Sequence, residues 1–285
     1  MPPHDFRAIR AAAIFAITLA TCAGHAGPAA ADRDLVRNGK SWSIQLQGDA
    51  RSIQKRNSDV AVVDPDEVRN PTKLKTKASG GKRAVLAYIS VGEAEEGRAY
   101  MKKKGKAWLT KSEQGWSGNY KVRFWDKEWK AIVKQRVRAA IDAGYDGVYL
   151  DRIDTYEGMK APGGSRKEMV KFVKEITAEA RARKKNSAVA VQNAEELLTD
   201  NDYVDTIDAI GKEDLYHGIN HDGRRNSSGA VKASVNLLKK AKAKGKGVYV
   251  VEYLGGKSAA KVKDEGRQHG FAVTTGGRNL SDATD

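Results

Sequence analysis

Apolar residues recur along this chain with two different periods. Eight short stretches have the signature of strands. "SWSIQLQG" (41–48) sets Trp42, Ile44 and Leu46 on alternating positions. "VAVVD" (60–64), "RAVLAYISVG" (83–92), "GVYLD" (147–151), "AVAVQN" (188–193), "TIDAIG" (206–211), "GVYVVEY" (247–253) and "FAVTT" (271–275) are nearly continuous apolar runs. Runs of that kind predict strands buried on both faces, as in a parallel sheet covered by helices. Between them the period becomes helical. "DKEWKAIVKQRVRAAIDAG" (126–144) gathers Trp129, Ile132, Val133, Val137, Ala140 and Ile141 on one face, with Asp126 as N-cap and Gly144 as stop. Residues 165–185 open with Ser165 and Glu168 at capping-box spacing. Residues 228–245 place Val231, Val235, Leu237 and Leu238 on a third amphipathic helix.

Eight strands alternating with helices predict an α/β fold, a single (β/α)8 TIM barrel over residues 41–275, followed by a C-terminal tail, 276–285. An open doubly wound sheet is the rival, but no glycine-rich dinucleotide fingerprint follows the first strand. "VRFW" (122–125) reads as part of a long loop, and there is no internal repeat. The N-terminus has a different character. Arg7 and Arg10 precede the apolar run 11–20, and small residues follow, "GHAGPAAADRD". That is the pattern of a secretory signal peptide over residues 1–31, with cleavage after Ala26 or after Ala31. The run is too short to be a transmembrane segment. A secreted or periplasmic protein is expected. "LATC" puts Cys22 where a lipoprotein box has its cysteine, but Thr21 suits that box poorly.

Composition narrows the chemistry. Cys22 is the only cysteine and falls inside the expected leader, so the mature chain has no disulfide and no thiolate site. The formal charge is +15. Its bases cluster in "MKKKGK" (101–106), "ARARKK" (180–185) and residues 238–246, where lysines interleave with alanines as on a solvated helix face. Nucleic-acid binding is therefore not expected, although a basic protein bound to anionic envelope polymers is an alternative.

In either α/β architecture the ligand site lies beyond the carboxyl ends of the strands. Those ends offer Gln47; Asp64 and Asp66; Ser90, Glu93 and Glu95; Asp151; Gln192, Asn193, Glu195 and Glu196; Asp208 and Glu213; Glu252 and Tyr253. Carboxylates and amides dominate. The three histidines after the leader have no metal-ligand spacing, and no nucleophile elbow announces a serine hydrolase. Paired carboxylates are the equipment of glycosidic-bond hydrolysis, and they need no metal or cofactor. Four tryptophans fall within residues 108–129; Trp108 and Trp116, in the loop after strand three, are candidate platforms for sugar rings. Asp154 follows Asp151 closely and either touches ligand or holds Arg152. A carbohydrate-binding barrel without catalysis would use many of the same residues.

The ordered motifs "WSIQLQG" (42–48), "AYISVGEAE" (87–95), "GYDGVYLDRID" (144–154), "VQNAEEL" (191–197), "IDAIGKED" (207–214) and "VVEYLGG" (250–256) resemble glycoside hydrolase family 114, the endo-α-1,4-polygalactosaminidase-like barrels. The resemblance covers about residues 41–275. It implies a (β/α)8 barrel that hydrolyses galactosamine-containing polysaccharide. It implies Asp151 and Glu213 as the acidic pair; if the pair works by retention, Asp151 is the nucleophile and Glu213 the acid/base. It further implies that Asp64, Glu93, Asn193, Glu252 and Tyr253 line the cleft.

Overall fold

All eight expected strands are present, and they pair in chain order, parallel throughout. The computed structural model describes residues 30–113 and 118–284. The expected leader up to residue 29, with Cys22, and Trp116 lie outside the described residues. Barrel strands are β1 (Trp42–Gln45), β2 (Val60–Val63), β3 (Ala84–Ser90), β4 (Gly147–Asp151), β5 (Ala188–Gln192), β6 (Ala209–Glu213), β7 (Gly247–Glu252) and β8 (Ala272–Thr275). Helices α1 (Ala30–Asn38), α2 (Arg51–Gln54), α3 (Lys127–Asp142), α4 (Ser165–Arg183), α5 (Asn201–Thr206), α6 (Ser228–Ala243) and α7 (Gly256–His269) accompany them. This is a near-closed eight-stranded parallel barrel with flanking helices, the (β/α)8 architecture.

Alternation along each strand divides the apolar residues between two cores. Val60, Val62, Ala84, Leu86, Tyr88, Tyr149, Ala188, Ala190, Ala209, Tyr249 and Val251 point into the barrel. Their neighbours Ala61, Val63, Val85, Ala87, Ile89, Val148, Leu150, Val189, Val191, Ile210, Val248 and Val250 point out, under the helices. The interior mixes large and small residues so that rings fit. Trp42 stacks near Tyr149 with centroids 6.0 Å apart, and its indole N–H donates to the Val250 carbonyl across the interior. Gly211 gives Tyr149 its space: a Cβ at 211 would lie 1.9 Å from the Tyr149 hydroxyl.

The amino-terminal end of the barrel is plugged by α1, whose Val36 joins the interior core and whose carbonyl there accepts from Tyr249 Oη at 2.5 Å. Three strands are each preceded by an aspartate that caps the strand before. Asp59 accepts from Ser41 N, Asp146 from Val85 N, and Asp208 from Val189 N. Each is paired with bases: Asp59 with Lys77, Asp146 with Lys75 and Lys184, Asp208 with Arg33, Arg37 and Arg181.

Four local expectations change. β6 begins at Ala209, because 201–206 form α5, capped by Asp200, whose side chain accepts from Tyr203 N. Asp208 thus sits at the opposite end of the barrel from Glu213. The capping box at Ser165 does not form; its hydroxyl accepts from Ala161 N and donates to Met159 O, tying down the preceding loop, and Gly164 is the N-cap. The stretch after β3 is an excursion carrying a small antiparallel sheet of Glu93–Glu95, Asn119–Val122 and Leu109–Glu113, paired in that order. The tail is a structural strap. Leu280 O accepts from Leu46 N and Gln47 N, and Ile44 N donates to Thr284 Oγ1, so this segment lines the edge of β1 that faces β8. Asp126 caps α3 as expected, accepting from Glu128 N and Trp129 N.

Gly211→Ala should destabilise the fold by about 1–3 kcal/mol, the usual range for an overpacked core. Urea unfolding of Gly211→Ala alone and combined with Tyr149→Phe checks the cause. Removing the Tyr149 hydroxyl should recover part of the loss, and no recovery would contradict the clash.

Candidate active site

β4, β5 and β6 end in the same way. Each finishes on an inward-pointing polar residue, Asp151, Gln192 and Glu213. Each is followed at once by a non-glycine residue in the left-handed region: Arg152 (φ 60), Asn193 (φ 57) and Asp214 (φ 53). That conformation costs an L-residue roughly 1–2 kcal/mol and turns the chain sharply away from the strand. The three polar side chains are left at the mouth of the barrel, in a cleft of about 700 Å³ also lined by Asp64, Tyr88, Glu93, Tyr253 and Arg278.

Asp151 is 8% exposed. Tyr88 Oη donates to its Oδ2 at 2.6 Å and Arg152 N to its Oδ1 at 2.7 Å. The second bond follows from the left-handed turn at Arg152. Burial pushes the Asp151 carboxyl up to about 7; the Tyr88 hydrogen bond opposes this and the charge of Glu213 adds to it. Burial, with the charge of Asp151, also keeps Tyr88 neutral.

Glu213 is half-buried on the facing part of the rim. Tyr253 Oη donates to its Oε1 at 2.5 Å, and Gln192 Nε2 lies 3.4 Å from its Oε2. Each acid of the pair therefore has its own tyrosine donor. Strand alternation explains both: Tyr88 shares the inward face with Ala84 and Leu86, and Tyr253 shares it with Tyr249 and Val251.

Two further acids of the cleft are held by arginines. Arg98 donates to Asp64 at 2.5 and 2.9 Å and to Glu95 and Asp66 as well. Arg152 donates to Glu93, which is buried; burial raises that carboxyl and Arg152 works against the rise.

Other expected site residues lie elsewhere. Asn193 is turned away from the cleft, and its Oδ1 accepts from Glu213 N at 3.1 Å, so it fixes the end of β6 rather than facing ligand. Asp154, in the turn Ile153–Gly158, does not line the cleft; its charge acts on Arg152 behind the rim. Glu252 is fully buried and occupies an outward position of β7. It accepts from Tyr216 N at 2.7 Å and His217 N at 3.1 Å, pinning the segment after β6. Burial pushes Glu252 up to about 7, with those amides opposing. Trp108 is 0% exposed and packs against Trp129 (4.8 Å between centroids) and Tyr100, so it has no free face for a sugar. Its apolar bulk anchors the small sheet to the barrel. Glu195 bonds Ser234 and Lys212, away from the cleft.

The groups not singled out in the sequence are Tyr88, Arg98, Arg152 and Arg278. Tyr88 was accessible through alternation, two residues beyond Leu86 on the inward face. Arg278 reaches the cleft from the strap, and no local pattern announces that.

The site has two facing carboxyls, one raised by burial, each oriented by a phenol, in a cleft wide enough for sugar rings. Such an arrangement can protonate a leaving oxygen and attack or hydrate an anomeric carbon. Known proteins agree with the fold. An uncharacterized protein of Deinococcus radiodurans is 33% identical over 251 residues, covering 84% of this chain and 80% of that one. One from Thermotoga maritima is 30% identical over 75% of this chain and 71% of its own length. Among solved structures, the glycoside hydrolase domain of PelA from Pseudomonas aeruginosa superposes with a TM-score of 0.71 at 17% identity, covering 85% of this chain and 96% of that domain. Aspergillus fumigatus Ega3, solved in complex with galactosamine, gives 0.68 at 18% identity, covering 87% and 95%. The sequence model of one family matches residues 25–283, from before α1 to within the strap. With the barrel, the plug and most of the strap inside that match, the chain belongs to glycoside-hydrolase family GH114.

Proposed function

We propose that the protein is an exported glycoside hydrolase that cleaves α-1,4-linked galactosamine-containing polysaccharide, with Asp151 and Glu213 as the reacting pair. The observation that carries this reading is the convergence of two inward carboxyls, from the ends of β4 and β6, in one cleft. The family supplies the reaction class, and the galactosamine bound by Ega3 supports the sugar. Charge also supports it. The whole chain is strongly basic, but the cleft is lined by seven carboxylates and four guanidiniums. Within about a Debye length of 8–10 Å, an amino sugar meets the acidic cleft rather than the distant lysines.

Asp151 is the nucleophile in this reading, because N–H and O–H donors fix both its oxygens. Glu213, nearer solvent, is the acid/base. The charge of Glu213 adds to the burial that raises Asp151. In the empty cleft burial favours the proton on Asp151, while a cationic amino sugar beside it favours the carboxylate. Substrate thus favours the ionised nucleophile, while Glu213, as the acid, hands a proton to the leaving oxygen. The leader serves export in this reading, and two-carboxylate hydrolysis needs no cofactor.

Asp151→Asn and Glu213→Gln should each lower kcat by at least about 100-fold in a reducing-end assay on deacetylated galactosaminogalactan. Full activity in either variant sinks the assignment, and sugar binding without product in the wild type would indicate a non-catalytic barrel. Tyr88→Phe removes a donor that favours ionised Asp151. Its kcat should fall about 10–100-fold, matching a hydrogen bond to a charged group, and the Asp151 limb of the kcat/KM profile should move to higher pH. An unchanged profile would show that Tyr88 does not tune the pair.

Stability gives a third check. The folded state binds the Asp151 proton more tightly than the unfolded state, 7 against the ordinary 3.8. That stabilisation is complete below the unfolded value and is lost as pH rises through about 7. Asp151→Asn cannot ionise, so it should unfold at higher temperature than wild type at pH 8, by up to about 4 kcal/mol, with the gain vanishing near pH 4. A gain that does not depend on pH would mean that burial does not raise this carboxyl.

A further inference from the structure

Arg278 belongs to the strap, far in sequence from both acids, yet it touches the environment of Glu213 at three points. Its Nη2 donates to both carboxylate oxygens of Asp214, at 3.0 and 3.2 Å. Its Nη1 lies 3.8 Å from Glu213 Oε1. Its guanidinium carbon stands 4.1 Å from the ring centroid of Tyr253, the residue whose hydroxyl donates to that same Oε1. Asp222 holds the outer edge of the guanidinium at 2.7 Å.

The strap keeps Arg278 in place from both sides. Gly276 N donates to Glu252 O, Leu280 N donates to Gly277 O, and Gln47 Nε2 bonds Asn279 O. Asp214 is equally fixed. It adopts φ 53 directly after Glu213, and Gly218 approaches it so closely that a Cβ there would lie 2.5 Å from the Asp214 carboxyl. A planar, rigid fork can bond a carboxylate and cover an aromatic face at once, which a lysine ammonium does less well.

We propose that Arg278 is a positioning residue for Glu213: it fixes the Tyr253 ring that orients Glu213, and its balance against Asp214 sets the charge that Glu213 experiences. The proposal rests on the reading of Glu213 as one of the reacting acids. Its consequence is that the strap, besides closing the barrel, is part of the active site.

The electrostatics give two variants opposite effects. Groups facing Glu213 are Arg278 and Tyr253, Gln192 on β5, Asp151 across the cleft, Asp214 beside it and Tyr149 below. Arg278→Gln removes a cation and exposes the charge of Asp214. Both changes make the surroundings of Glu213 more negative, so the alkaline limb of the kcat/KM profile should move to higher pH. Asp214→Asn leaves Arg278 with Asp222 as its other carboxylate partner and should move that limb to lower pH; asparagine tolerates the left-handed conformation at this position.

The test follows the 13C carboxyl resonances of glutamate-labelled protein without substrate, with Glu213 assigned by its loss in Glu213→Gln. The pH profile of kcat/KM on α-1,4-linked galactosamine oligosaccharides is measured in parallel, and Tm reports on folding. Opposite shifts in Arg278→Gln and Asp214→Asn are expected, with kcat lowered in Arg278→Gln. A fall in Tm with no movement of the Glu213 titration, or shifts of the same sign, would overturn the proposal and leave Arg278 a stitch of the strap. Full activity in Glu213→Gln would instead overturn the reading of the catalytic pair, whatever Arg278 does.

Discussion

The Ile44 amide donates to Thr284 Oγ1, the Thr284 amide returns a bond to the Ile44 carbonyl, and Leu280 O accepts from both Leu46 and Gln47. These bonds occupy an edge of β1 where an uninterrupted barrel would have its eighth strand. An unpaired backbone edge in an apolar setting is costly, and parallel barrels have no free edge to spare. By filling this seam with irregular chain, the fold fixes the relative positions of β1, β7 and β8. The mouth of the barrel inherits that order: Gln47, Leu280 and Tyr253 border the same cleft. Closure of the sheet and shaping of the site are thus one structural event.

A second constraint is the two-residue period. It puts Asp151, Gln192, Glu213 and Tyr253 inside the barrel mouth and sends Glu252 outward into the helical layer. Two carboxyls raised by burial therefore have different partners. Asp151 receives a phenol and one amide beside a water-accessible cleft, whereas Glu252 receives backbone amides and meets no cleft. The raised proton affinity that can serve chemistry at Asp151 only anchors a loop at Glu252. Position on the strand, rather than chemical type, separates the two roles.

The same period explains what could be read in advance. Apolar runs located all eight strands, and their carboxyl ends brought Asp151 and Glu213 to one rim, because barrel geometry follows from strand order. Alternation lets only one of Gln192 and Asn193 face the cleft, and the structure turns Asn193 away. Applied through residue 252, it would have excluded Glu252. Trp108 was misread because loop composition does not reveal that an excursion folds back onto α3 with its own sheet. Ser165 had the right spacing for a cap but found nearer partners in its own loop. Arg278 and the strap lay beyond local reasoning, because their bonds span more than two hundred residues of chain to β1 and more than sixty to Asp214.

The aspartates beneath the barrel contrast with the acids at its mouth. Burial alone would raise Asp208, but hydrogen bonds from Arg33 and Val189 N and the surrounding arginines outweigh it and hold the carboxyl below its ordinary range. Asp59 is held low in the same way by Lys77 and the amide of Lys40. Asp151 at the barrel mouth therefore holds its proton tightly, while Asp59 and Asp208 at the plugged base give theirs up readily. Asp59 and Asp208 keep their charge, and the stability it carries, until pH drops below the usual carboxylate range. Mild acidification consequently loads a proton onto Asp151, and onto Glu252 in the helical layer, while the charges of Asp59 and Asp208 at the base persist. A barrel built this way can change the charge of its cleft as pH falls and recover it when the pH returns, because the charges that hold its base are not the ones that titrate.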